Sequence, residues 1–197
     1  MRVLVLGANG QLGSDIVEQF SASQDLKPTP ALRSDIDVAD YSRLETYLRE
    51  IEYDVLVNCT SYHKTDEAED NATQAFTVNA HAVGIMARAC AEVSSKFVHF
   101  STDYVFGGLD ITKPLPEDAL TCPLNVYGSS KALGEYFIQK ANCDHYTCRV
   151  SSLFGVRGSS GKGGNFIETM IKLAKSRDTI SVVSDQIMVP TSTKFIT

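Results

Sequence analysis

The sequence lacks the apolar segments that a membrane span or a secretory leader requires. No stretch of the 197 residues approaches the roughly 18 uninterrupted apolar positions of a spanning helix. A basic stretch followed by an apolar one is also missing at the start, where a predicted strand begins at once. We therefore expect a cytoplasmic protein with no membrane partner.

Basic charge is scarce as well. Lys and Arg number 18 against 24 Asp and Glu, so the net charge is -6 at pH 7 and the pI is near 5.2. Domains that bind nucleic acid usually carry a basic patch or stripe, and the sequence therefore argues against a nucleic-acid partner. The hydrophobic content of 43% is ordinary for a globular protein, and the length suits one α/β domain.

The cysteines and histidines show no ligand spacing. The five cysteines contain no C-x-x-C pair, and the four histidines are scattered. An odd number of dispersed cysteines is typical of reduced thiols in a cytosolic protein. The sequence thus predicts free thiols and no metal site.

What the sequence does contain is a regular alternation of apolar runs and helical patterns. Strands are predicted at 2–6, 27–32, 54–58, 96–101, 145–151 and 179–183. Helices are predicted at 11–21, 41–51 (with Asp40 as N-cap), in two stretches within 67–93, at 128–141 and at 165–176. Such alternation indicates βαβ crossovers and an α/β fold, a Rossmann-type doubly wound parallel sheet with helices on both faces.

The first predicted strand runs directly into a glycine-punctuated turn, Gly7-Ala-Asn-Gly10-Gln-Leu-Gly13. In a dinucleotide-binding turn, the first glycine allows the tight bend and the second lets a phosphate approach the backbone. The third lets the next helix pack close to the strand. The pyrophosphate then lies at the N-terminus of that helix, where free N–H groups favour negative charge. The spacing G-x-x-G-x-x-G differs from the standard G-x-G-x-x-G, but its position after the first strand indicates dinucleotide binding.

A second glycine-rich stretch covers residues 155–164. It does not fit the P-loop pattern, since no strand leads tightly into it. Two interpretations stay open, a loop with a small-residue hinge and a loop that covers the substrate.

Polar segments follow several of the predicted strands, where ligands bind in an α/β sheet. Tyr127 and Lys131 form a Tyr-x-x-x-Lys pair at the start of a predicted helix. A second pair, Tyr136 and Lys140, lies in the middle of that helix, and we interpret it as structural. Residues four apart share a helix face, so a lysine cation could lower the pKa of Tyr127 toward working pH. The pair would then serve as a general acid and base for a carbonyl. A hydroxyl at Ser101 or Thr102 could hydrogen-bond the carbonyl oxygen.

Taken together, these motifs resemble those of the extended short-chain dehydrogenase/reductases and, within them, the dTDP-4-dehydrorhamnose reductase family. The resemblance runs through nearly the whole chain. Its motifs are the glycine turn, Asp37-Val38, Val57 to Tyr62, Val78-Asn79, Phe100 to Phe106, Tyr127-Gly-x-x-Lys131 with Gly134-Glu135, Asn165-Phe166, and Val183-x-Asp185-Gln186-x-x-x-Pro190-Thr191. It implies a reductase of nucleotide-linked 4-keto deoxysugars that uses NADP, with NAD as the alternative.

The resemblance also implies a role for each matching residue. Tyr127 would donate the proton, Lys131 would hold the nicotinamide ribose, Thr102 would polarise the sugar carbonyl, and hydride would come from the nicotinamide. Asp103 and Tyr104 would approach the sugar. The cofactor-binding residues would be Gly7, Asn9, Gly10, Gln11, Leu12, Gly13, Arg33, Asp37, Val38, Thr60, Ser61, Tyr62, Asn79, Ser101, Tyr127 and Lys131. Arg33 would either pair with a 2′-phosphate, which favours NADP, or remain a solvated loop arginine.

Two departures from the family keep alternatives open. The chain contains no tryptophan, and Ser152 stands where the family usually places one against the deoxysugar. Family members also continue beyond this length, so residues 1–151 are expected to form the NAD(P)-binding Rossmann domain and residues 152–197 the incomplete start of a substrate-binding lobe. A non-catalytic regulatory subunit, similar to the β subunit of methionine adenosyltransferase, is the runner-up, and an inactive fragment is the third option. A homodimer and a partner enzyme are both open as protein partners.

Overall fold

A five-stranded parallel sheet forms the centre of the molecule. The computed structural model describes residues 1–109, 114–155, 165–184 and 188–197. The strands are β1 Arg2–Leu6, β2 Lys27–Ala31, β3 Val55–Asn58, β4 Lys96–Thr102 and β5 His145–Val150. They pair in the order β2-β1-β3-β4-β5. The chain moves from β1 to β2 on one side and returns to β3 on the other, and the predicted Rossmann-type fold is confirmed.

Seven helices connect or follow these strands in the described residues. They are α1 Gln11–Ala22, α2 Tyr41–Glu50, α3 Thr65–Asp70, α4 Ala72–Phe76, α5 Ala82–Glu92, α6 Val126–Ala141 and α7 Phe166–Ser176. Asp40 caps α2 as predicted, because its side chain accepts a hydrogen bond from the Arg43 N–H at 3.1 Å. Asn125 caps α6 in the same way, accepting from the Gly128 N–H at 2.7 Å. None of the helices in the described ranges is long and apolar enough to cross a membrane.

The two faces of the sheet have separate cores. Side chains alternate along β1, so Leu4 and Leu6 point to one face and Val3 and Val5 to the other. Helices α2, α5 and α6 supply the larger core against the Leu4 face, which is completed by residues such as Phe97. Helix α1 packs on the Val3 face. Burial of β3 on both sides explains why its sequence is a continuous apolar run rather than an alternation.

The last strand predicted from the sequence, at 179–183, is wrong. No strand forms there, and Val182 and Val183 are exposed by 52% and 67%. A β-branched run needs a neighbouring strand for its backbone hydrogen bonds, and none lies beside this one in the described part of the chain. Instead, the short strands β6 Leu153–Phe154 and β7 Thr191–Ser192 pair in a small second sheet.

The small sheet is tied to α1 through a buried side chain. Thr193 follows β7 and is fully buried, and its hydroxyl donates to the Asp15 carboxylate and also lies 3.1 Å from the Phe154 carbonyl. The Gln19 amide donates to the Lys194 carbonyl at 3.0 Å. Residues 193–194 are therefore anchored to the helix that follows the glycine turn.

Two features expected from the sequence fall outside what the structure describes. Residues 156–164 of the glycine-rich stretch and the motif residues Asp185 and Gln186 are outside the described ranges. Within those ranges, the five cysteines are free thiols, and no group of three or more His, Cys, Asp and Glu side chains is placed to hold a metal ion.

Candidate active site

The strand order reverses between β1 and β3, and β4 is the next strand beside them. This is the place where open α/β sheets bind ligands. Gly7 ends β1 with a φ of +74°, in the left-handed region that glycine adopts without strain. A Cβ atom added to Gly13 would lie 2.3 Å from the Gly7 carbonyl oxygen. The first and third glycines are therefore required by the geometry of the turn.

The residues of this turn fit a dinucleotide pyrophosphate. Gly10 precedes α1 without a side-chain cap, so the first N–H groups of this twelve-residue helix are left for an anion. The side-chain nitrogen of Gln11 is buried and has no hydrogen-bond partner in the described residues. A polar donor in that position is costly unless a ligand accepts from it.

The segment after β3 is held by two asparagines. The Asn58 Oδ1 accepts from the Thr60 N–H at 2.9 Å and from the Thr60 hydroxyl at 2.6 Å. The Asn79 Oδ1 accepts from the Ser61 hydroxyl at 3.2 Å and from the Tyr62 N–H at 2.8 Å. Thr60, Ser61 and Tyr62 are thus fixed beside the glycine turn.

Asn79 lies in a turn of π-helix at Thr77–His81, a conformation that is frequent at functional sites. Its Nδ2 donates to the Ser130 hydroxyl at 3.0 Å, and that hydroxyl donates to the Tyr127 carbonyl at 2.7 Å. Gly134 lets α6 approach this turn closely, since a Cβ there would lie 2.3 Å from the Asn79 carbonyl oxygen. The π-helical turn was not predicted, and it links the β3 segment to α6.

Tyr127 lies in the first turn of α6, and its carbonyl belongs to this hydrogen-bonded network. Its hydroxyl lies near the Thr102 and Ser61 side chains, and its ring meets the Tyr104 ring edge-on with centroids 5.5 Å apart. Burial raises the pKa of Tyr127, although Thr102 and Ser61 act in the opposite direction. The prediction that Lys131 lowers this pKa is therefore wrong, and the phenol stays protonated at neutral pH.

Lys131 turns toward β4 rather than toward the Tyr127 phenol. Its Nζ donates to the Phe100 carbonyl at 2.6 Å and lies 3.2 Å from the His99 Nε2. The side chain is 1% exposed. This burial lowers the pKa of Lys131 to about 8, against an opposing effect of Glu135 and Cys59. The Lys131 amine is therefore directed at β4, and it does not contribute to the pKa shift of Tyr127.

The two residues expected near the substrate follow β4 in a short 3-10 turn at Asp103–Phe106. The Asp103 carboxylate accepts from the Thr102 hydroxyl at 3.0 Å and from the Ser151 hydroxyl at 2.5 Å. The Tyr104 N–H donates to the Thr102 hydroxyl at 3.2 Å. Thr102, Asp103 and Tyr104 therefore form one hydrogen-bonded group beside Tyr127.

The residues expected near an adenine come together after β2. The Arg33 guanidinium lies 3.0 Å from the Asp37 carboxylate, and the arginine side chain is 78% exposed. The Ala39 N–H and then Arg33 lower the pKa of Asp37. Val38 is buried beneath the pair. An exposed ion pair of this kind adds little stability, so Arg33 can exchange its partner at small cost.

The sequence analysis did not predict the ion pair between Glu135 and Arg149, which also holds the Ser101 hydroxyl. Glu135 is buried, and it receives the Arg149 Nη2 at 2.7 Å and the Ser101 hydroxyl at 2.5 Å. Arg149 also stacks over the Phe106 ring at 4.9 Å. The available signal was the spacing, because Glu135 follows Lys131 by four residues and shares its helix face.

Replacing Glu135 by glutamine is expected to reduce the free energy of unfolding by about 2 kcal/mol, because the half-buried Arg149 loses its carboxylate partner. Urea denaturation at neutral pH measures this loss. Glu92→Gln is the control, since its ion pair with Arg49 is exposed and 3.6 Å long; its change should stay within about 0.5 kcal/mol. Equal losses in the two variants would contradict the structural role of Glu135.

Comparison with known proteins shows similarity through the whole chain. The model of the RmlD substrate binding domain family matches residues 1–197. Over 194 residues, the chain is 40% identical to dTDP-4-dehydrorhamnose reductase of Burkholderia thailandensis, which covers 97% of this chain and 61% of that protein. The enzyme of the same name from Escherichia coli is 33% identical over 198 residues, which is 100% of this chain and 64% of the relative.

Solved structures give the same result. The Bacillus anthracis dTDP-4-dehydrorhamnose reductase in complex with NADP has a TM-score of 0.90 and 35% identity, covering 99% of this chain and 67% of its own. The Clostridium acetobutylicum protein of that name also has a TM-score of 0.90, at 33% identity, covering 100% of this chain and 67% of its own. The chain spans about three fifths of the length of the curated relatives it matches.

Proposed function

The chain belongs to the RmlD substrate binding domain family, and from this membership we propose that it takes part in NADP(H)-dependent reduction of the 4-keto group of a nucleotide-linked deoxysugar. The names of its relatives point to dTDP-4-dehydrorhamnose as the substrate and to dTDP-rhamnose biosynthesis as the setting. NADP is favoured over NAD by the relative whose structure contains it.

One observation carries this proposal. The Tyr127 hydroxyl lies near the Thr102 and Ser61 side chains at the carboxyl edge of the sheet, beside a glycine turn that fits a pyrophosphate. The protonated phenol offers one donor to a carbonyl oxygen, and the Thr102 hydroxyl would supply a second by turning from Asp103. That is the arrangement which reduction of a ketone to an alcohol requires.

Each predicted residue then has a role in the proposal. The N-terminus of α1 and the glycine turn would hold the pyrophosphate, Asp37 and Val38 would lie by the adenine, and Arg33 would exchange Asp37 for a 2′-phosphate. When bound, the nicotinamide supplies hydride to the keto carbon. Tyr127 would donate the proton to the carbonyl oxygen, and its raised pKa suits this role because the group is protonated at neutral pH. Thr102 would polarise the carbonyl, and Lys131 would hold the nicotinamide ribose.

The remaining expectations stay proposals as well. Residues 1–151 would form the cofactor domain and residues 152–197 the start of the substrate lobe, which is consistent with the separate pairing of β6 and β7. Asp103 and Tyr104 would contact the sugar from the cofactor side. The cytoplasmic location and the choice between a homodimer and a partner enzyme remain predictions.

A fluorescence titration tests the proposal. The protein is titrated with NADPH and with NADH, and dTDP-4-keto-6-deoxysugar is then added. Tighter binding of NADPH followed by its oxidation is the expected result. Binding without oxidation would contradict the reductase role and favour the regulatory one, and the absence of any binding would overturn the assignment of the glycine turn.

A further inference from the structure

Three polar side chains form a buried line beneath the candidate site. They are Asn58 at the end of β3, His99 on β4 and Lys131 on α6, each at most 1% exposed. The Asn58 Nδ2 lies 3.1 Å from the His99 Nδ1, and the His99 Nε2 lies 3.2 Å from the Lys131 Nζ. These side chains are buried, so each of them must find its hydrogen-bond partners among neighbouring protein groups.

The orientation of Asn58 follows from its other neighbour. Its Oδ1 accepts from both the N–H and the hydroxyl of Thr60, and a backbone N–H can only donate. The Asn58 Nδ2 therefore faces His99 as a donor. It follows that the His99 Nδ1 is the acceptor and that the ring hydrogen is on Nε2.

This tautomer determines which protonation state of Lys131 fits the hydrogen bonds. The His99 Nε2–H points at the Lys131 Nζ, and an ammonium group has three hydrogens and no lone pair. Two donors would then face each other at 3.2 Å. An uncharged amine has one lone pair, which accepts from His99, and it still donates to the Phe100 carbonyl at 2.6 Å.

Burial of Lys131 outweighs the two neighbouring groups that favour its charged form, Glu135 and Cys59. The Glu135 carboxylate is occupied by Arg149 and Ser101, while burial raises the pKa of the Cys59 thiol to about 12. Tyr127, one helical turn earlier, is protonated at neutral pH. Burial also holds the pKa of His99 well below its usual value, which keeps the ring neutral.

We propose that His99 is a positioning residue, which in mildly alkaline solution holds Lys131 as an uncharged amine against β4, and that dinucleotide binding draws this amine away from His99 as an ammonium. The lysine nitrogen takes one proton from the solvent, and its bond to His99 is replaced by bonds to the ligand. The first half of the proposal rests on this chain alone, whereas the second rests on the proposed function.

Nitrogen NMR of 15N-histidine-labelled protein tests the first half without a cofactor. Four histidines give separable signals, and His99→Phe assigns the relevant one. At about pH 9, above the lowered pKa of Lys131, a protonated Nε2 and a bare Nδ1 are expected for His99. A protonated Nδ1 or an imidazolium ring would overturn the proposal, whatever the protein catalyses.

Calorimetric titration with NADPH tests the second half. Measured in buffers of different ionisation enthalpy, binding should take up close to one proton at about pH 9 and almost none at about pH 6. NADPH binding without proton uptake at the higher pH would overturn this half. A failure of NADPH to bind would instead overturn the proposed function and leave the NMR result to decide on His99.

Two variants separate positioning from simple support. His99→Phe removes the Nε2–H donor, which favours the ammonium form of Lys131. The pH above which NADPH affinity falls should therefore rise by about half to one unit. His99→Gln, whose amide can donate again, should restore much of the original profile. Lys140→Met, on the exposed part of α6, is the control and should leave it unchanged. An identical pH profile in His99→Phe and the unchanged protein would contradict the proposal.

Discussion

Replacement of Tyr127 by phenylalanine is expected to reduce NADPH-dependent turnover of the keto sugar by about 100- to 10,000-fold, the usual contribution of a positioned proton donor. The phenyl ring still fills its place against Tyr104, so NADPH affinity should remain close to that of the unchanged protein. The substitution removes only the hydroxyl, which lies near the Thr102 and Ser61 side chains. Steady-state rates and a fluorescence titration of the same preparation separate the two effects.

The chain contains a matched control for this experiment. Tyr136 begins the second Tyr-x-x-x-Lys pair, but its ring is 51% exposed and the Lys140 ammonium lies over it at 5.3 Å. Tyr136→Phe should therefore retain full turnover. Turnover that survives in Tyr127→Phe would rule out this phenol as the proton donor.

Replacement of Gly13 by alanine is expected to weaken NADPH binding by at least about tenfold and to lower the free energy of unfolding by about 1–3 kcal/mol. The added methyl group would overlap the Gly7 carbonyl oxygen at 2.3 Å, and that oxygen belongs to the backbone of the turn. Either α1 or the end of β1 must then shift. Since the pyrophosphate would be held by N–H groups of these elements, a shift of a few tenths of an ångström misaligns all of them at once. Fluorescence titration and urea denaturation give the two quantities.

Gly107→Ala serves as the comparison for Gly13→Ala. A methyl group there would meet its nearest neighbour at 3.6 Å, an ordinary van der Waals distance. Its NADPH affinity and stability should therefore match those of the unchanged protein. If Gly13→Ala also behaved in this way, the close packing of α1 on the glycine turn would be irrelevant to binding.

The central sheet and the glycine turn could be predicted because their signals are local. The three apolar residues Val55, Leu56 and Val57 of β3 are buried on both faces, and the turn after β1 needs glycine for steric reasons that the spacing indicates. The Asp40 cap was predictable for the same reason, since the side chain bonds to a backbone group three residues away.

The parts that could not be predicted depend on contacts between distant segments. The run at 179–183 has strand-forming residues, yet no sheet edge lies beside it in the described part of the chain. The direction of the Lys131 amine depends on a carbonyl and a histidine of β4, 31 and 32 residues away. Likewise, the structural role of Glu135 depends on its ion pair with Arg149, which lies on β5. Helical spacing shows that two residues share a face, but not which third group competes for them.

The hydrogen bond between Thr193 and Asp15 connects the small sheet to α1, the helix that follows the glycine turn. Asp15 follows Gly13 by two residues, and Gln19 holds the same segment one turn further along α1. A force that displaces β6 or β7 is transmitted to the helix whose first N–H groups face the glycine turn. In the proposed function, contacts of the sugar with the small sheet would therefore be transmitted to the glycine turn through Thr193 and Gln19.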